Sequence, residues 1–536
     1  MRVLQGTGVS AGVAIGTAAV LQTAEPSAAL SPVEDVQAEL SRMHAARETA
    51  KEQLASLYQQ ALEEVGEQDA AIFEVHQMML DDLDYVEGIE ALIQDQHANA
   101  EYAVHETGAQ FSQMFASLGD DYMSARATDV LDISARVVRI LAGVSEGGLP
   151  GTGPVVVLAD DLTPSQTVQL DKSRVLAFVT RHGSANSHTA ILARTLGIPA
   201  IVGVGFAPED EGCTVAVDAT AGTLTVNPTP EALAAFTQQL EAQQHRKQQL
   251  QLLRGLDNVT SAGQRIDVFA NIGNVSDAQL ACENDAGGIG LFRSEFLFLE
   301  SSSYPTEEQQ FQAYKQVAET MAGKKVIIRT LDVGADKQIP YFNLEAEENP
   351  ALGFRAIRVC LDRPEMFKTQ LRAILRAAAF GTVALMVPMV VSVEEVRAVK
   401  ALLEEAKTQL AAEGTAFGEV ELGVMVETPA AAVTSDLLAP EVDFFSIGTN
   451  DLTQYTLAAD RQNPRLAAVA DTHHPAVLRL IRQTVENGHA HGCWVGICGE
   501  LAADTSLAQT FLDYGVDELS VSPTRVLDVR AAIRAL

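Results

Sequence analysis

The chain has few basic residues for its length. It carries 37 Lys and Arg against 71 Asp and Glu in 536 residues, which gives a formal net charge of −34. So acidic a surface repels the phosphates of nucleic acids, and the sequence holds no basic cluster that would offset this repulsion. The charge balance therefore excludes a nucleic-acid-binding protein and favours a basic protein as partner.

Cysteine is scarce as well. The five cysteines are Cys213, Cys282, Cys360, Cys493 and Cys498, and no two of them form a CxxC pair. An odd number without paired spacing predicts neither a disulfide framework nor a zinc site. Most of these side chains are therefore expected to be small buried hydrophobic groups.

Long apolar runs are missing too. The N-terminus, MRVLQG, lacks the extended apolar segment of a secretory signal, and no uninterrupted apolar stretch is long enough to span a bilayer. We therefore expect a cytoplasmic protein without membrane insertion. Hydrophobic residues make up 47% of the chain and charged residues 20%, which is typical of a folded protein with several domains.

A loop of small residues, GSANS at 183–187, follows a predicted strand at 175–179 and precedes His188 in the first turn of a predicted helix. Backbone N–H groups and the helix dipole favour negative charge at such a position, so a phosphoryl group on His188 would be stabilised there. For a single histidine, a polar residue that merely ends a helix is the commoner explanation. Motifs elsewhere in the chain are needed to distinguish a phosphorylated histidine from a polar residue at a helix end.

Residues 31–145 show a helical pattern throughout. Ser31 as N-cap, Pro32 at the first helical position and Glu34 predict a helix start, after which apolar or small residues recur every three or four positions. The span holds 22 acidic and 6 basic residues, about half of the net charge of the chain. It predicts an all-helical insert whose charge indicates either a solvated surface or a docking face for a basic partner.

An α/β domain is predicted around this insert. Residues 1–30 contain short apolar strands broken by glycine at Gly16, and residues 146–228 contain further short strands with the His188 helix between them. We expect both segments to form one domain from which the helical insert emerges. A helix rich in glutamine and alanine follows in residues 229–254, and its weak apolar periodicity indicates a linker.

Strands and helices alternate regularly in residues 255–536. The eight predicted strands span residues 266–270, 288–292, 326–330, 383–389, 422–426, 444–447, 494–497 and 518–521. They predict a (β/α)8 barrel, a fold whose chemistry lies in the loops after the carboxyl ends of the strands. Polar residues fall at those positions, namely Asn271, Arg293, Asp332, Lys337, Glu427, Asn450, Asp451 and Cys498.

Several arginines are expected near this end of the barrel. Arg293, Arg329 and Arg355 would lie there together, and Arg461 would add a fourth guanidinium. Bidentate guanidinium groups suit a ligand that carries both a phosphate and a carboxylate. A single arginine would more often form a surface salt bridge, but several after consecutive strands favour a binding site.

Two carboxylates and a thiol accompany the arginines. Glu427 and Asp451, one strand apart, are hard oxygen ligands suited to a magnesium ion that a substrate phosphate also holds, although two carboxylates alone are weak grounds for a metal. Cys498 could donate or accept a proton. The alternative interpretation of Cys498 is a buried core thiol. Its position just past a strand and before Gly499 and Glu500 favours a role in proton transfer.

Seven groups of motifs match one known family. They are SHTAILAR at 187–194 with GIPA at 197–200, GIGLFRSEFLF at 288–298, IRTLD at 328–332, GFRAIR at 353–358, VETPA at 426–430, GTNDLTQ at 448–454 and CGELA at 498–502. On these motifs, the sequence resembles Enzyme I of the bacterial sugar phosphotransferase system, the phosphoenolpyruvate-protein phosphotransferase family, over essentially its whole length.

The resemblance implies a multidomain α/β fold in which a swivelling phosphohistidine domain carries the all-helical insert and precedes a phosphoenolpyruvate-binding (β/α)8 barrel. It implies that His188 is the phosphorylated histidine and that Cys498 protonates the enolate as pyruvate forms. The implied phosphoenolpyruvate-binding residues are Arg293, Arg329, Arg355, Arg461, Asn450 and Asp451. Glu427 and Asp451 would hold magnesium.

The activity implied is transfer of the phosphoryl group of phosphoenolpyruvate to His188 and then to a histidine of the carrier protein HPr. HPr would dock on the helical insert, and the barrel would form a homodimer. One alternative is a pyruvate phosphate dikinase or phosphoenolpyruvate synthase, but these need an ATP-binding domain, and the N-terminal side lacks a glycine-rich phosphate loop. The other is a regulatory relative that serves a specialised carrier.

The sequence departs from the family pattern at three places. The loop at 183–187 has GSANS where a glycine pair, a variable residue and threonine are usual, so Asn186 is expected to alter the geometry facing the carrier. The loop at 334–337 has GADK where two glycines are usual. The sequence ends at Leu536 without the terminal helical extension of longer members, which is expected to affect the stability of the dimer.

Overall fold

The computed structural model describes residues 1–21, 28–64, 67–117, 121–144, 149, 151–162, 164–183, 189–190, 193–194, 197–299, 301, 303–334, 339–461, 463–466 and 468–536. They divide into two compact units, Met1–Arg246 and Lys247–Leu536. In these ranges no helix has the length and apolar character needed to cross a membrane. The domain boundaries near residues 30, 145, 228 and 254 stay predictions.

The first unit contains an eight-stranded sheet. Its strands are β1 (Arg2–Gln5), β2 (Thr7–Ser10), β3 (Val13–Leu21), β4 (Val155–Ala159), β5 (Val175–Thr180), β6 (Ala200–Val202), β7 (Thr214–Asp218) and β8 (Thr223–Val226). Their order is β1-β8-β7-β3-β4-β5-β6-β2, with β3 to β6 parallel and the other pairs antiparallel. Because side chains alternate along a strand, Val156 and Leu158 of β4 enter one apolar core and Val155 and Val157 enter another.

Strand β3 differs from the two short strands that were expected. It continues from Val13 to Leu21 through Gly16, so the glycine does not break it. A Cβ atom at Gly16 would lie 2.7 Å from Cδ1 of Leu176. Glycine therefore serves here to admit a neighbouring side chain, and the prediction of a break was wrong.

Five helices of the first unit pack around a separate apolar core. They are α1 (Val36–Glu64), α2 (Glu67–Leu80), α3 (Leu83–Gln96), α4 (Ala100–Ser117) and α5 (Asp121–Leu141). Polar contacts join them internally, since Tyr85 Oη lies 2.7 Å from Ser134 Oγ and the buried Arg136 donates to Gln53 Oε1 over 2.9 Å. The expected helical character of this region is present in the described residues.

Helix α1 begins later than predicted. It starts at Val36, and Asp35 Oδ1 accepts a hydrogen bond from the Ala38 N–H over 3.0 Å, as an N-cap carboxylate does. Ser31 instead binds Asn99, accepting from its backbone N–H and donating to its side-chain Oδ1. The capping-box prediction at Ser31 was wrong because this tertiary contact holds the segment extended.

Among the described residues before the barrel, helices α6 (Pro164–Gln169) and α7 (Pro230–Gln251) also have defined bounds, and residues 189–190 and 193–194 are helical. Helix α7 has no buried side chain. This agrees with the weak apolar periodicity of its sequence, because a helix packed against a core would bury one face.

The second unit is a closed barrel of eight parallel strands, as predicted. The strands are β9 (Asp267–Ile272), β10 (Ile289–Arg293), β11 (Val326–Arg329), β12 (Val383–Val387), β13 (Glu421–Val426), β14 (Phe444–Ile447), β15 (Trp494–Ile497) and β16 (Glu518–Val521). The helices are α8 (Ser276–Glu283), α9 (Glu295–Leu299), α10 (Glu307–Thr320), α11 (Ile357–Asp362), α12 (Pro364–Ala377), α13 (Val393–Glu413), α14 (Pro429–Val433), α15 (Ser435–Leu438), α16 (Thr449–Leu457), α17 (Pro475–Ala490), α18 (Ala508–Tyr514) and α19 (Val526–Ala535).

The barrel has two apolar layers. The outer layer joins strands to helices, and the inner layer consists of strand side chains together with Cys498 just past β15. Along β12, Leu385 belongs to the outer layer and Met386 to the inner one. The inner layer includes Phe444, whose ring stacks on Trp494 with centroids 4.5 Å apart. The barrel is therefore a packed core, and its open chemistry lies at the strand ends.

Candidate active site

The predicted site residues of the barrel lie at one end of it. Arg293 and Arg329 are the last residues of β10 and β11, and Glu427 and Cys498 directly follow β13 and β15. Because all eight strands are parallel, their carboxyl ends meet on one side, which we call the barrel mouth. Asp451 reaches the same side from the first turn of α16, which begins two residues after β14.

Asp332 joins two of the arginines at the barrel mouth. Its carboxylate accepts from Arg355 Nη2 over 2.8 Å and 2.9 Å, and it lies 3.2 Å from Arg329 Nη1. All three side chains are buried. Ala356, next to Arg355, has φ of 53°, a conformation that costs energy in a non-glycine residue and that clusters at functional sites. The arginine heads are thus held in place before any ligand binds.

A second carboxylate holds Arg329. Glu295, buried at the start of α9, forms an ion pair with Arg329 Nη2. Burial by itself lowers the pKa of Arg329, but the charges of Glu295 and Asp332 outweigh it and leave the pKa raised. This guanidinium is therefore charged in spite of its burial.

Arg293 differs from its two neighbours. Within the described ranges it forms no ion pair with a carboxylate, and it is only partly exposed. Burial, and after it the charge of Arg329, lowers the pKa of Arg293. A crowded cation without an ion-pair partner in these ranges is the kind of group that an anionic ligand stabilises.

Glu427 and Asp451 bring two carboxylates to the same end. Burial, and then the charges of Asp451 and Asp332, raise the pKa of Glu427 to about 8. The backbone N–H of Met389 donates to Glu427 Oε1 over 2.7 Å, and Met389 itself has φ of 58°. A strained backbone residue therefore fixes the position of this carboxylate.

These two carboxylates fit a magnesium ion. Asp451 Oδ1 is buried and has no hydrogen-bond partner among the described residues, and Arg461 Nη2 lies 3.7 Å from it. The structure places no third His, Cys, Asp or Glu in a ligand cluster within the described ranges. Magnesium needs no complete protein cage, because one or two carboxylates and substrate phosphates commonly hold it with water.

Cys498 is a buried thiol of the inner barrel layer. It is 3% exposed, and its Sγ lies 3.8 Å from the carbonyl oxygen of Ile447. Burial raises the pKa of Cys498 to about 12, while the hydroxyl of Ser446 opposes this effect. The group is therefore a thiol at neutral pH, which is the form that can donate a proton.

Asn450, Asn271 and Arg461 occupy different places at the barrel mouth. Asn450 Oδ1 accepts from the Glu500 N–H over 2.9 Å, so it ties the start of α16 to the loop after β15. Asn271 is the fifth residue of β9 and donates to the carbonyl oxygens of Cys498 and Ser520 over 2.9 Å and 3.2 Å. Arg461 is exposed, whereas Arg329 and Arg355 are buried, so its side chain is less firmly positioned than theirs.

Comparisons with known proteins show the family of the chain. Models of the PEP-binding, N-terminal and mobile domains of PEP-utilising enzymes match residues 247–536, 5–126 and 151–222. The phosphoenolpyruvate-protein phosphotransferase of Geobacillus stearothermophilus is 45% identical over 540 residues, covering 100% of this chain and 93% of that protein. The one of Staphylococcus carnosus (strain TM300) is 43% identical, covering 99% and 94%.

The chain belongs to the phosphoenolpyruvate-protein phosphotransferase family. The predicted family, fold class and enzyme class are thereby confirmed. Family membership does not assign roles to individual residues of the phosphotransferase. Those roles rest on the geometry of the barrel mouth and on the sequence motifs.

His188 lies outside the described residues, as do residues 184–187 of its loop and Lys337 after β11. The residue that follows His188 is described. Thr189 is buried, and its hydroxyl donates to Asp161 Oδ1 over 3.3 Å. The predictions for His188 and for Asn186 therefore stay predictions.

Two carboxylates of this phosphotransferase have a part that the sequence did not predict. Glu295 belongs to one of the family motifs and Asp332 follows a predicted strand, and in the structure both form ion pairs with arginines. Each follows an arginine by two or three residues at the end of a strand. That spacing is a signal for Asp332, which pairs with Arg329 three residues before it, whereas Glu295 follows Arg293 but pairs with Arg329 of the next strand.

Proposed function

We propose that the chain transfers the phosphoryl group of phosphoenolpyruvate to its own His188 and then to a histidine of HPr, with release of pyruvate. The observation that carries this proposal is the barrel mouth. There, Arg329 and Arg355 are held in place by buried carboxylates, while Arg293 has no such partner in the described ranges. These arginines form a preorganised binding site for a small, strongly anionic substrate.

The arginines have distinct roles in this proposal. Arg329 and Arg355 present fixed guanidiniums, and Arg293 gains its counter-charge from the substrate. Asn450 and Arg461, at the two ends of the segment around α16, would complete the contacts with phosphoenolpyruvate. Charge that develops on the phosphate as the bond breaks is stabilised because these donors are already oriented.

Glu427 and Asp451 would hold magnesium at the barrel mouth. Asp451 Oδ1, which is buried and has no hydrogen-bond partner in the described ranges, supports this assignment. When bound, the ion would neutralise phosphate charge. Glu427 is held for this role by the Met389 N–H, and a cation beside it would favour the ionised form of its carboxyl group.

Cys498 would supply the proton for pyruvate. As the bond from phosphorus to the enol oxygen breaks, the enolate needs a proton on carbon, and a buried thiol that stays protonated at neutral pH can give one. His188 in its neutral form would be the nucleophile that attacks phosphorus.

The acidic helical region would be the docking site for HPr. Its 22 acidic and 6 basic residues support an interaction with a basic carrier surface. We further propose a cytoplasmic homodimer that pairs through the barrel, and domain boundaries at residues 30, 145, 228 and 254.

Labelling with phosphoenolpyruvate tests the central claim. The chain, incubated with ³²P-labelled phosphoenolpyruvate and magnesium, should gain acid-labile phosphate and release one pyruvate per chain. His188→Ala should gain none, whereas His182→Ala, an exposed histidine of the preceding loop, should label normally. Labelling of His188→Ala would contradict the assignment. Formation of phosphoenolpyruvate from ATP and pyruvate would instead favour the dikinase or synthase alternative.

A further inference from the structure

A group of polar side chains lies inside the barrel and has no role in the reaction described so far. Glu518, the first residue of β16, is 2% exposed. Neither of its carboxyl oxygens has a hydrogen-bond partner within ordinary limits in the described ranges, and the same holds for Ser446 Oγ, Ser520 Oγ and Asn271 Oδ1. We call these four residues the interior polar group. Buried polar atoms without partners are rare in folded proteins, so their clustering requires an explanation.

Two glycines make room for the Glu518 carboxyl group. In the barrel, Ser446 pairs with Gly496 and Gly496 pairs with Glu518, so the three residues lie in one row. A Cβ atom at Gly496 would lie 2.0 Å from Glu518 Oε2, and one at Gly290 would lie 2.4 Å from Oε1. Oε2 therefore lies over Gly496, the residue between Glu518 and Ser446 in this row, and Oε1 lies over Gly290.

Cys498 lies next to this row. It is two residues past Gly496 on the same chain segment, and alternate residues of a strand face the same side. Ser446 is two residues past Phe444, which belongs to the inner barrel layer together with Cys498, so Ser446 faces the same interior as the thiol. Burial raises the pKa of Cys498, and the charge of Glu518 acts in the same direction, whereas the Ser446 hydroxyl acts against it.

Glu518 is set up to keep a proton. Burial, and then the charge of Asp267, raises the pKa of Glu518 well above its usual range. Asp517 acts in the same direction, whereas Ser520 and Lys325 act against it. Lys325 forms an ion pair with Glu421 over 2.7 Å, so it does not pair directly with Glu518. The side chain of Glu518 is therefore a neutral carboxylic acid inside the barrel.

We propose that Glu518 supplies the proton that restores the Cys498 thiol after each turnover, and that Ser446 relays it. The inference rests on the proposed role of Cys498. When the Sγ–H bond of Cys498 breaks, its proton forms a C–H bond on the enolate and the electron pair stays on sulfur. The Ser446 hydroxyl gives its proton to the thiolate and takes one from Glu518 Oε. The Glu518 carboxylate then takes a proton from water, so atoms and charges balance.

The test separates the first turnover from later ones. Without a carrier, each chain can release one pyruvate, and Cys498 is protonated at the start. Glu518→Gln keeps the shape but has no acidic proton, so its first pyruvate should form at the wild-type rate. With HPr present, its steady rate should fall about 100-fold or more, within the usual range for loss of a proton-transfer group. The loss should grow as pH rises, because solvent must then supply the proton.

Ser446→Ala is the second variant. Because Ser446 Oγ makes no ordinary hydrogen bond in the described ranges, its removal should not disturb folding, yet later turnovers should slow as in Glu518→Gln. Glu441→Gln is the control, since this carboxylate pairs with Arg397 and Lys400 on the outside of the barrel. Its turnover in both regimes should equal that of the wild type.

Three results would overturn the relay. They are wild-type steady rates in both variants, an equal loss in first and later turnovers, and a pH dependence unchanged from the wild type. The second would mean that the residues act only on structure. If the wild-type chain itself released no pyruvate, the proposed function would fail, and the relay with it, so the two failures are distinguishable.

Discussion

The barrel mouth and the interior polar group both bury ionisable side chains, but they do so in opposite ways. At the barrel mouth the buried carboxylates of Glu295 and Asp332 face guanidinium groups, as Asp332 faces Arg355 over 2.8 Å. Inside the barrel, Glu518 has no ion-pair partner in the described part of the chain, and its carboxyl oxygens have no ordinary hydrogen bonds there. Opposite charges keep buried groups ionised, whereas burial without a counter-charge favours the neutral form.

This difference separates two tasks of one active site. Fixed charges suit the binding of a phosphate, because donors that stay ionised and oriented need no rearrangement as the reaction proceeds. A neutral acid suits the movement of a proton, because it can lose and regain its charge. In the proposed mechanism, the groups that bind and the groups that move protons therefore lie in neighbouring layers of the barrel.

The largest effect is expected when the pairing at the barrel mouth is broken. Asp332→Ala leaves Arg329 and Arg355 with less counter-charge, and loss of one partner of a buried ion pair typically costs about 3–5 kcal/mol of unfolding free energy. Trp494, the single tryptophan of the chain, lies inside the barrel and reports its unfolding in urea. Glu486→Ala removes an exposed pair with Arg482 and should leave the midpoint unchanged. A wild-type midpoint for Asp332→Ala would show that the pairing does not stabilise the fold.

A substitution at Arg293 should affect substrate binding and folding stability in different ways. Arg293→Ala should leave the urea midpoint equal or higher, because the repulsion from Arg329 is removed. The kcat/KM for phosphoenolpyruvate should fall about 100-fold, since truncating one member of a desolvated charge pair typically costs ~2–5 kcal/mol of binding. Arg265→Ala, an exposed arginine just before β9, is the matched control. A lower midpoint for Arg293→Ala would place this residue among the groups that stabilise the empty site.

Much of the barrel could be predicted from the sequence, because short apolar runs bounded by turns define its strands. The predicted strands at 444–447, 494–497 and 518–521 have the observed bounds. The strand ends then placed Arg293, Arg329, Glu427 and Cys498 on one side. Local pattern was sufficient here because each parallel strand has to deliver its last residue to the same end of the barrel.

The features that the sequence did not predict depend on contacts between residues far apart in the chain. The start of α1 was predicted too early, since the partner of Ser31 is Asn99, far along the chain. Asp332 and Arg355 are 23 residues apart, and only the folded chain shows that they meet. Glu518 was treated as the first residue of a strand, although a Glu alternating with Ser520 on an inward face is a signal for a buried acid.

The most gradual expected effect, spread over several pH units, concerns the proton that Glu518 holds, and it tests the interior half of the comparison directly. A group whose pKa is raised by folding gives stability that is present at low pH and lost as pH rises above its unfolded pKa. Glu518→Gln removes this loss, so its urea midpoint, followed by Trp494 fluorescence, should gain on the wild type from about pH 5 to pH 8, by at most ~1.4 kcal/mol per pH unit. Glu441→Gln should show no such trend, because Lys400 and Arg397 lower the pKa of Glu441 and its proton is lost below this range. A constant difference between Glu518→Gln and the wild type would mean that Glu518 is ionised inside the barrel, and the contrast with the barrel mouth would then disappear.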